Sequence, residues 1–165
     1  MTDGLKVFVY QVNTGEGERG FVSVLEPDWV FKHGLHPEAI VGSLREGVHL
    51  DQAGPEDFQE NPAFVRLLSG VLFDHLDQDE NLQREAGIQA EGYVYLLDAR
   101  TTDPGGRVPP EDIIGAVAVT GGQIVADSYQ HNSRHRLLTG KGWFRLPQQL
   151  EILLLQQLRA RPDSQ

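Results

Sequence analysis

The chain of 165 residues contains no cysteine. Disulfides, thiolate-bound zinc, iron–sulfur clusters and thiol nucleophiles are excluded together. Long apolar runs are missing too. The longest, Ile113–Val119, has seven residues and includes a glycine, against the roughly 20 needed to span a bilayer. The opening MTDGLKVFVY lacks the basic and apolar regions of a signal peptide. A cytoplasmic protein with no membrane association is therefore expected. Basic residues are scarce: 14 Lys and Arg stand against 24 Asp and Glu, a net charge of −10. Such a surface repels phosphate backbones, which argues against general nucleic-acid binding.

What is present suffices for a core. Leu, Ile, Val and Phe supply 48 of the 165 residues, above the roughly one fifth below which chains stay unfolded. The length predicts a single domain over residues 1–161, with a frayed end at 162–165. Charge is unevenly distributed. Residues 1–130 carry 8 basic and 22 acidic groups, and residues 131–165 carry 6 basic and 2 acidic. Pairing of the basic tail with the acidic body is the plain expectation. The sharper one is a small anion site formed by Arg134, Arg136, Lys141 and Arg145.

Apolar alternation and β-branched residues predict strands at 5–12 and 21–25, joined by a long Gly- and Glu-rich tip from Asn13 to Gly20. Pro37, Glu38 and the face of Ile40, Val41 and Leu44 predict a short helix over 37–46. Asn61 and Pro62 are N-cap and first-turn residues, and Phe64, Leu67, Leu68, Val71 and Leu72 then recur at helical spacing. Residues 79–86 suggest a further helical turn or two. Strands follow at 93–97, 113–119 and 123–129, the last two around Gly121-Gly122, which suits a tight hairpin. Residues 136–138 and 143–146 suggest another hairpin. Pro147 opens a helix with Leu150, Leu153, Leu154 and Leu158 on one stripe. The expected class is α+β: a mainly antiparallel sheet of five to seven strands built from hairpins, with three or four helices packed on it. The loop 98–112, rich in Pro and Gly, is long enough to be a binding loop or a mobile excursion.

Three nucleotide- or metal-binding patterns come close and fail. Gly15-x-Gly17-x-x-Gly20 resembles a phosphate loop, but a strand follows it and Glu16 and Glu18 repel phosphate. Asp77-Gln-Asp79-Glu-Asn81 starts like an EF-hand, yet Leu82 and Ile88 occupy the required Gly and Glu positions. Gly140-Lys141 lacks the earlier glycine and the following Ser or Thr of a Walker loop. No nucleotide, haem or iron–sulfur cofactor is expected.

The densest chemistry lies in Asp127–Arg136. If a strand runs to His131, Asp127, Tyr129 and His131 share one face and form an acid–base set. Asp127 and Ser128 then point to opposite faces, so a Ser128 triad is not expected. His131 and His135, with Asp127, are candidate metal ligands. His75, at the edge of its helix stripe, is a distant contributor. The plainer alternative is that these histidines brace a turn.

Three functions follow as expectations. The first is a non-enzymatic binding or assembly module, homodimeric through the surplus apolar face of the C-terminal helix (Ile152, Leu153, Leu154, Leu155, Leu158). The second is a small metal-assisted hydrolase using Asp127, Tyr129, His131 and His135. The third is an acidic decoy of a nucleic-acid-binding partner.

Overall fold

The computed structural model describes residues 6–15, 17–101 and 108–160. Leu5, the middle of the 98–112 loop and the 162–165 end lie outside them. The described chain is α+β, with four α-helices and ten strands in three sheets, every pairing antiparallel. No helix among the described residues is long and apolar enough to cross a membrane.

The chain divides into two compact units. Met1–Leu68 and Ile152–Gln165 form one, and Ser69–Glu151 forms the other. In the first, β1 (Phe8–Thr14), β2 (Gly17–Ser23), β3 (Ile40–Leu44) and β4 (Phe58–Glu60) pair in that order. The first hairpin is tighter than expected: its ladder runs on to Thr14 opposite Gly17, so strand replaces most of the predicted tip. The helix predicted at 37–46 is absent. One 3-10 turn, Pro37–Ala39, leads directly into β3. The spacing of Ile40, Val41 and Leu44 suits a helix face, but β-branched residues followed by Gly42 and Ser43 are poor helix formers. Neighbours on both sides settle it, β2 on one and β4 on the other. Gly42 is needed there: a Cβ would lie 2.3 Å from Gln59 O and 2.4 Å from Phe58 Cζ. A helix outside the predicted elements, α1 (Pro27–His33), has Pro at its start and Gly34 after it at φ 83°.

Helix α2 (Pro62–His75) begins as predicted. Asn61 Oδ1 accepts Ala63 N–H at 3.2 Å, and its amide donates to Pro37 O and Ile40 O at 2.9 and 2.8 Å. The end of the chain returns as α4 (Gln148–Ala160), in which Leu150, Leu154 and Leu158 are fully buried.

The Ser69–Glu151 unit contains α3 (Glu80–Gln89), capped by Asp79, whose carboxylate accepts Leu82 N–H at 2.9 Å. Its sheet is β5 (Gly92–Leu97), β6 (Ile113–Thr120), β7 (Gln123–Ile124) and β8 (Gln130–His131). Strand β6 is central, with β5 on one side and β7 and β8 in succession on the other. Gly121 and Gly122 turn with φ of 60° and 76°, the twist that a two-residue hairpin favours. The predicted strand 123–129 is interrupted after Ile124. Asp127 takes φ 59°, and the chain rejoins β6 only at Gln130. Ser128 closes the bulge: its hydroxyl accepts Ala118 N–H at 3.0 Å and donates to Val125 O at 2.7 Å. Strands β9 (Leu138–Thr139) and β10 (Gly142–Trp143) form the last hairpin.

Candidate functional site

The Ser69–Glu151 unit carries two features of chemical interest. The first is a buried polar cluster where β5 ends. Asp98, Arg100, Asp112 and His135 are all withdrawn from solvent. Asp98 Oδ1 accepts the N–H groups of Arg100 and Arg145 at 3.0 and 2.8 Å, and Oδ2 accepts His135 Nε2–H at 2.9 Å. Arg100 Nε donates to Asp112 Oδ1 at 3.0 Å. Its Nη1 reaches Leu137 O and Gly142 O, and its Nη2 reaches Glu111 O and Arg136 O. All five guanidinium N–H groups are therefore spent within the unit. Lys141 Nζ holds the other oxygen of Asp112. Burial alone would raise the Asp112 pKa, but the hydrogen bonds and charges of Lys141 and Arg100 outweigh it and hold the carboxyl below its ordinary range.

The sequence candidates fall around this cluster and are only partly brought together. Tyr129 is buried and His131 half-buried, with the phenol oxygen 2.8 Å from His131 Nδ1. Burial pushes the Tyr129 hydroxyl well above its usual range. Burial, and secondarily the charge of His135, lowers the pKa of His131. The Tyr129 phenol oxygen also lies 3.4 Å from Ile114 O. The His131 and His135 rings sit edge to face with centroids 6.3 Å apart. Asp127 is not part of the group. The left-handed bulge breaks the alternation that was to align it with Tyr129 and His131, and leaves it exposed. Among the described residues no three His, Asp or Glu side chains are placed to share a metal ion, so the set His131, His135 and Asp127 does not assemble. His75 is half-buried at the end of α2.

Of the expected anion site, Lys141 and Arg136 are engaged in hydrogen bonds. Lys141 is on Asp112 and Arg136 Nη1 donates to Ser133 O and His135 O, whereas Arg145 Nε is buried without a hydrogen-bond partner among the described residues, 3.9 Å from Glu151 Oε2. Arg134 is exposed. Lys141–Asp112 and Arg159–Glu26 are pairs of the kind expected between the basic tail and the acidic body.

The second feature is an open groove of 810 Å3 between α3 and β5. Asn81, Leu82, Glu85, Ile88 and Gln89 line one wall, and residues 93–97 line the other. Ile88 is 75% exposed, and Tyr93 and Tyr95 are 60% exposed each. Among the described residues β5 has β6 on one side and no strand on the other. The ladder shows which backbone groups face outward. Ala118 turns away from β5, since its N–H goes to Ser128 and its C=O accepts Val125 N–H at 2.9 Å. In an antiparallel pair, residues opposite one another either exchange both hydrogen bonds or neither. Tyr93 lies opposite Ala118 and Tyr95 opposite Ala116. The N–H and C=O of Tyr93 and Tyr95 therefore point into the unpaired edge.

None of the groove residues was singled out as functional from sequence. The alternation of residues 93–97 revealed a strand, but edge position depends on partners far along the chain. The C-terminal helix retains less apolar surface than expected: Leu154 and Leu158 are buried, and Ile152 is 42% exposed. Comparison with protein-family models, curated proteins and solved structures gives no match.

Proposed function

We propose that this chain is a non-enzymatic docking module that takes an extended segment of a partner protein as an added strand on β5. The observation that carries this reading is the outward-facing backbone of Tyr93 and Tyr95 at the wall of the α3–β5 groove. Strand addition draws affinity from main-chain hydrogen bonds and specificity from pockets for alternate side chains. Two outward N–H and two outward C=O groups, beside apolar side chains of Leu82 and Ile88, supply both. Proteins commonly blunt exposed edges with Lys, Pro or a short strand. Residues 92–97, GYVYLL, contain no charge and no proline. The buried cluster around Arg100 supports the same reading from the other side: its groups are engaged with one another, and it anchors the end of β5.

The test is selection of peptides from a random display library on the intact chain, followed by NMR titration of the enriched peptide. Perturbation of the Tyr93 and Tyr95 amides is expected. The variant Tyr95→Pro removes an outward donor without touching the β5–β6 ladder, and is expected to stay folded and lose the peptide. Failure to enrich any peptide, or perturbation confined to other surfaces, overturns the proposal.

A further inference from the structure

We infer that the segment docked at β5 is basic, presenting Lys or Arg side chains to Glu85 on the α3 side and to the rings of Tyr93 and Tyr95 on the opposite face. This rests on strand docking at β5. A strand laid along β5 extends both faces of the sheet, so its side chains alternate between the side of the two tyrosines and the opposite side. Tyr93 and Tyr95 are two residues apart and therefore share a face. Their exposed phenol rings attract a cation through their negative faces. The groove wall from α3 contributes the exposed carboxylate of Glu85. Asp79 also lines the groove, but it is buried and its carboxylate serves as the α3 cap. The other polar lining groups, Asn81 and Gln89, are neutral, and no Lys, Arg or His lines the groove among the described residues. The surrounding chain has the same sign: residues 74–91 hold six acidic residues and one basic, Arg84. A positively charged segment is drawn to this side of the unit, and an acidic one is repelled.

Three capped pentapeptides separate the possibilities: Thr-Val-Lys-Val-Thr, the same sequence with Gln at the centre, and the same with Glu. Each is titrated into the intact protein at low and at high salt, with the Tyr93 and Tyr95 amides as reporters. The Lys peptide is expected to bind about tenfold more tightly than the Glu peptide at low salt, with the gap shrinking as salt is added. Glu85→Gln should remove most of that gap and leave the Gln peptide unchanged. Equal binding of all three peptides by the wild-type protein overturns the charge preference while strand docking stands. Absence of binding by any of them, or perturbation of the same amides by self-association alone, overturns docking and the preference together.

Discussion

Arg100 Nε lies 3.0 Å from Asp112 Oδ1, and both side chains are sealed from water. The remaining N–H groups of Arg100 bind carbonyls of Glu111, Arg136, Leu137 and Gly142. One side chain therefore ties the end of β5 to the segment before β6 and to the β9–β10 hairpin. A buried charge pair is sustained only when its hydrogen bonds are complete, and here the guanidinium has none left over.

Truncation of Arg100 should be severe. Arg100→Ala leaves Asp112 buried with Lys141 as its remaining cation and takes a donor from four carbonyls, of which Leu137 O and Glu111 O keep the N–H groups of Phe144 and Arg136, so a loss of about 3–5 kcal/mol is expected. Arg100→Lys keeps the charge but offers three donors in place of five, and should recover little of it. Urea unfolding of the three proteins measures this. A loss below about 1 kcal/mol for the alanine variant contradicts the role assigned to Arg100.

Acid should act partly through Asp112. Its folded pKa is held below the unfolded value of about 3.9. The stabilisation is present above the unfolded value and is lost as pH falls through the folded one. Unfolding free energies across the range from neutral to strongly acidic should therefore show Asp112→Asn less stable at neutral pH. The difference from wild type should narrow below about pH 4.

His131 should titrate on the acid side of the ordinary histidine value of about 6.5 in NMR. The unfolded chain takes up the proton first. The native state therefore loses stability as pH drops from about 6.5 toward the folded pKa. A His131 titration at or above the ordinary value removes the burial and the His135 charge as its causes.

Two glycine substitutions should have opposite signs. A Cβ on Gly115 would stand 2.4 Å from Tyr129 Cε1 and 2.6 Å from Gln130 O. Gly115→Ala should cost about 1–3 kcal/mol, displace Tyr129 and move the His131 titration back toward its ordinary value. Gly87, inside α3, has open space around that position, and Gly87→Ala should stabilise by about 1 kcal/mol. Calorimetric melting of both variants is the check.

Loss of the α3 cap should connect stability to docking. Asp79→Ala removes the acceptor of Leu82 N–H at 2.9 Å and should cost about 1 kcal/mol. Because α3 forms a wall of the groove, affinity for an enriched peptide should fall too. Asp79→Asn should retain most of both.

Features encoded within a few neighbouring residues were legible before the fold. Asn61-Pro62 announced α2, Gly121-Gly122 announced a hairpin, and the Leu150–Leu158 stripe announced α4. Residues 40–44 were misread because a buried strand and a helix face can share one apolar pattern over five positions. The alignment of Asp127 with Tyr129 and His131 was misread because a single left-handed residue shifts the register. Asp98, Arg100 and Asp112 were not singled out at all. Apart from the contact between Asp98 and Arg100, two residues apart, their partners lie 11 to 47 residues away along the chain, beyond the reach of any spacing rule.

The amino-acid order by itself determined the α+β class, most element starts, the absence of thiol chemistry and the net negative charge, because these depend on composition and on interactions within a turn or two. Which strand stands at an edge, and which charges are buried and matched, was decided only in three dimensions. Both depend on which distant segments meet, since a strand's outward hydrogen-bonding groups and a buried ion's partners are properties of its neighbours.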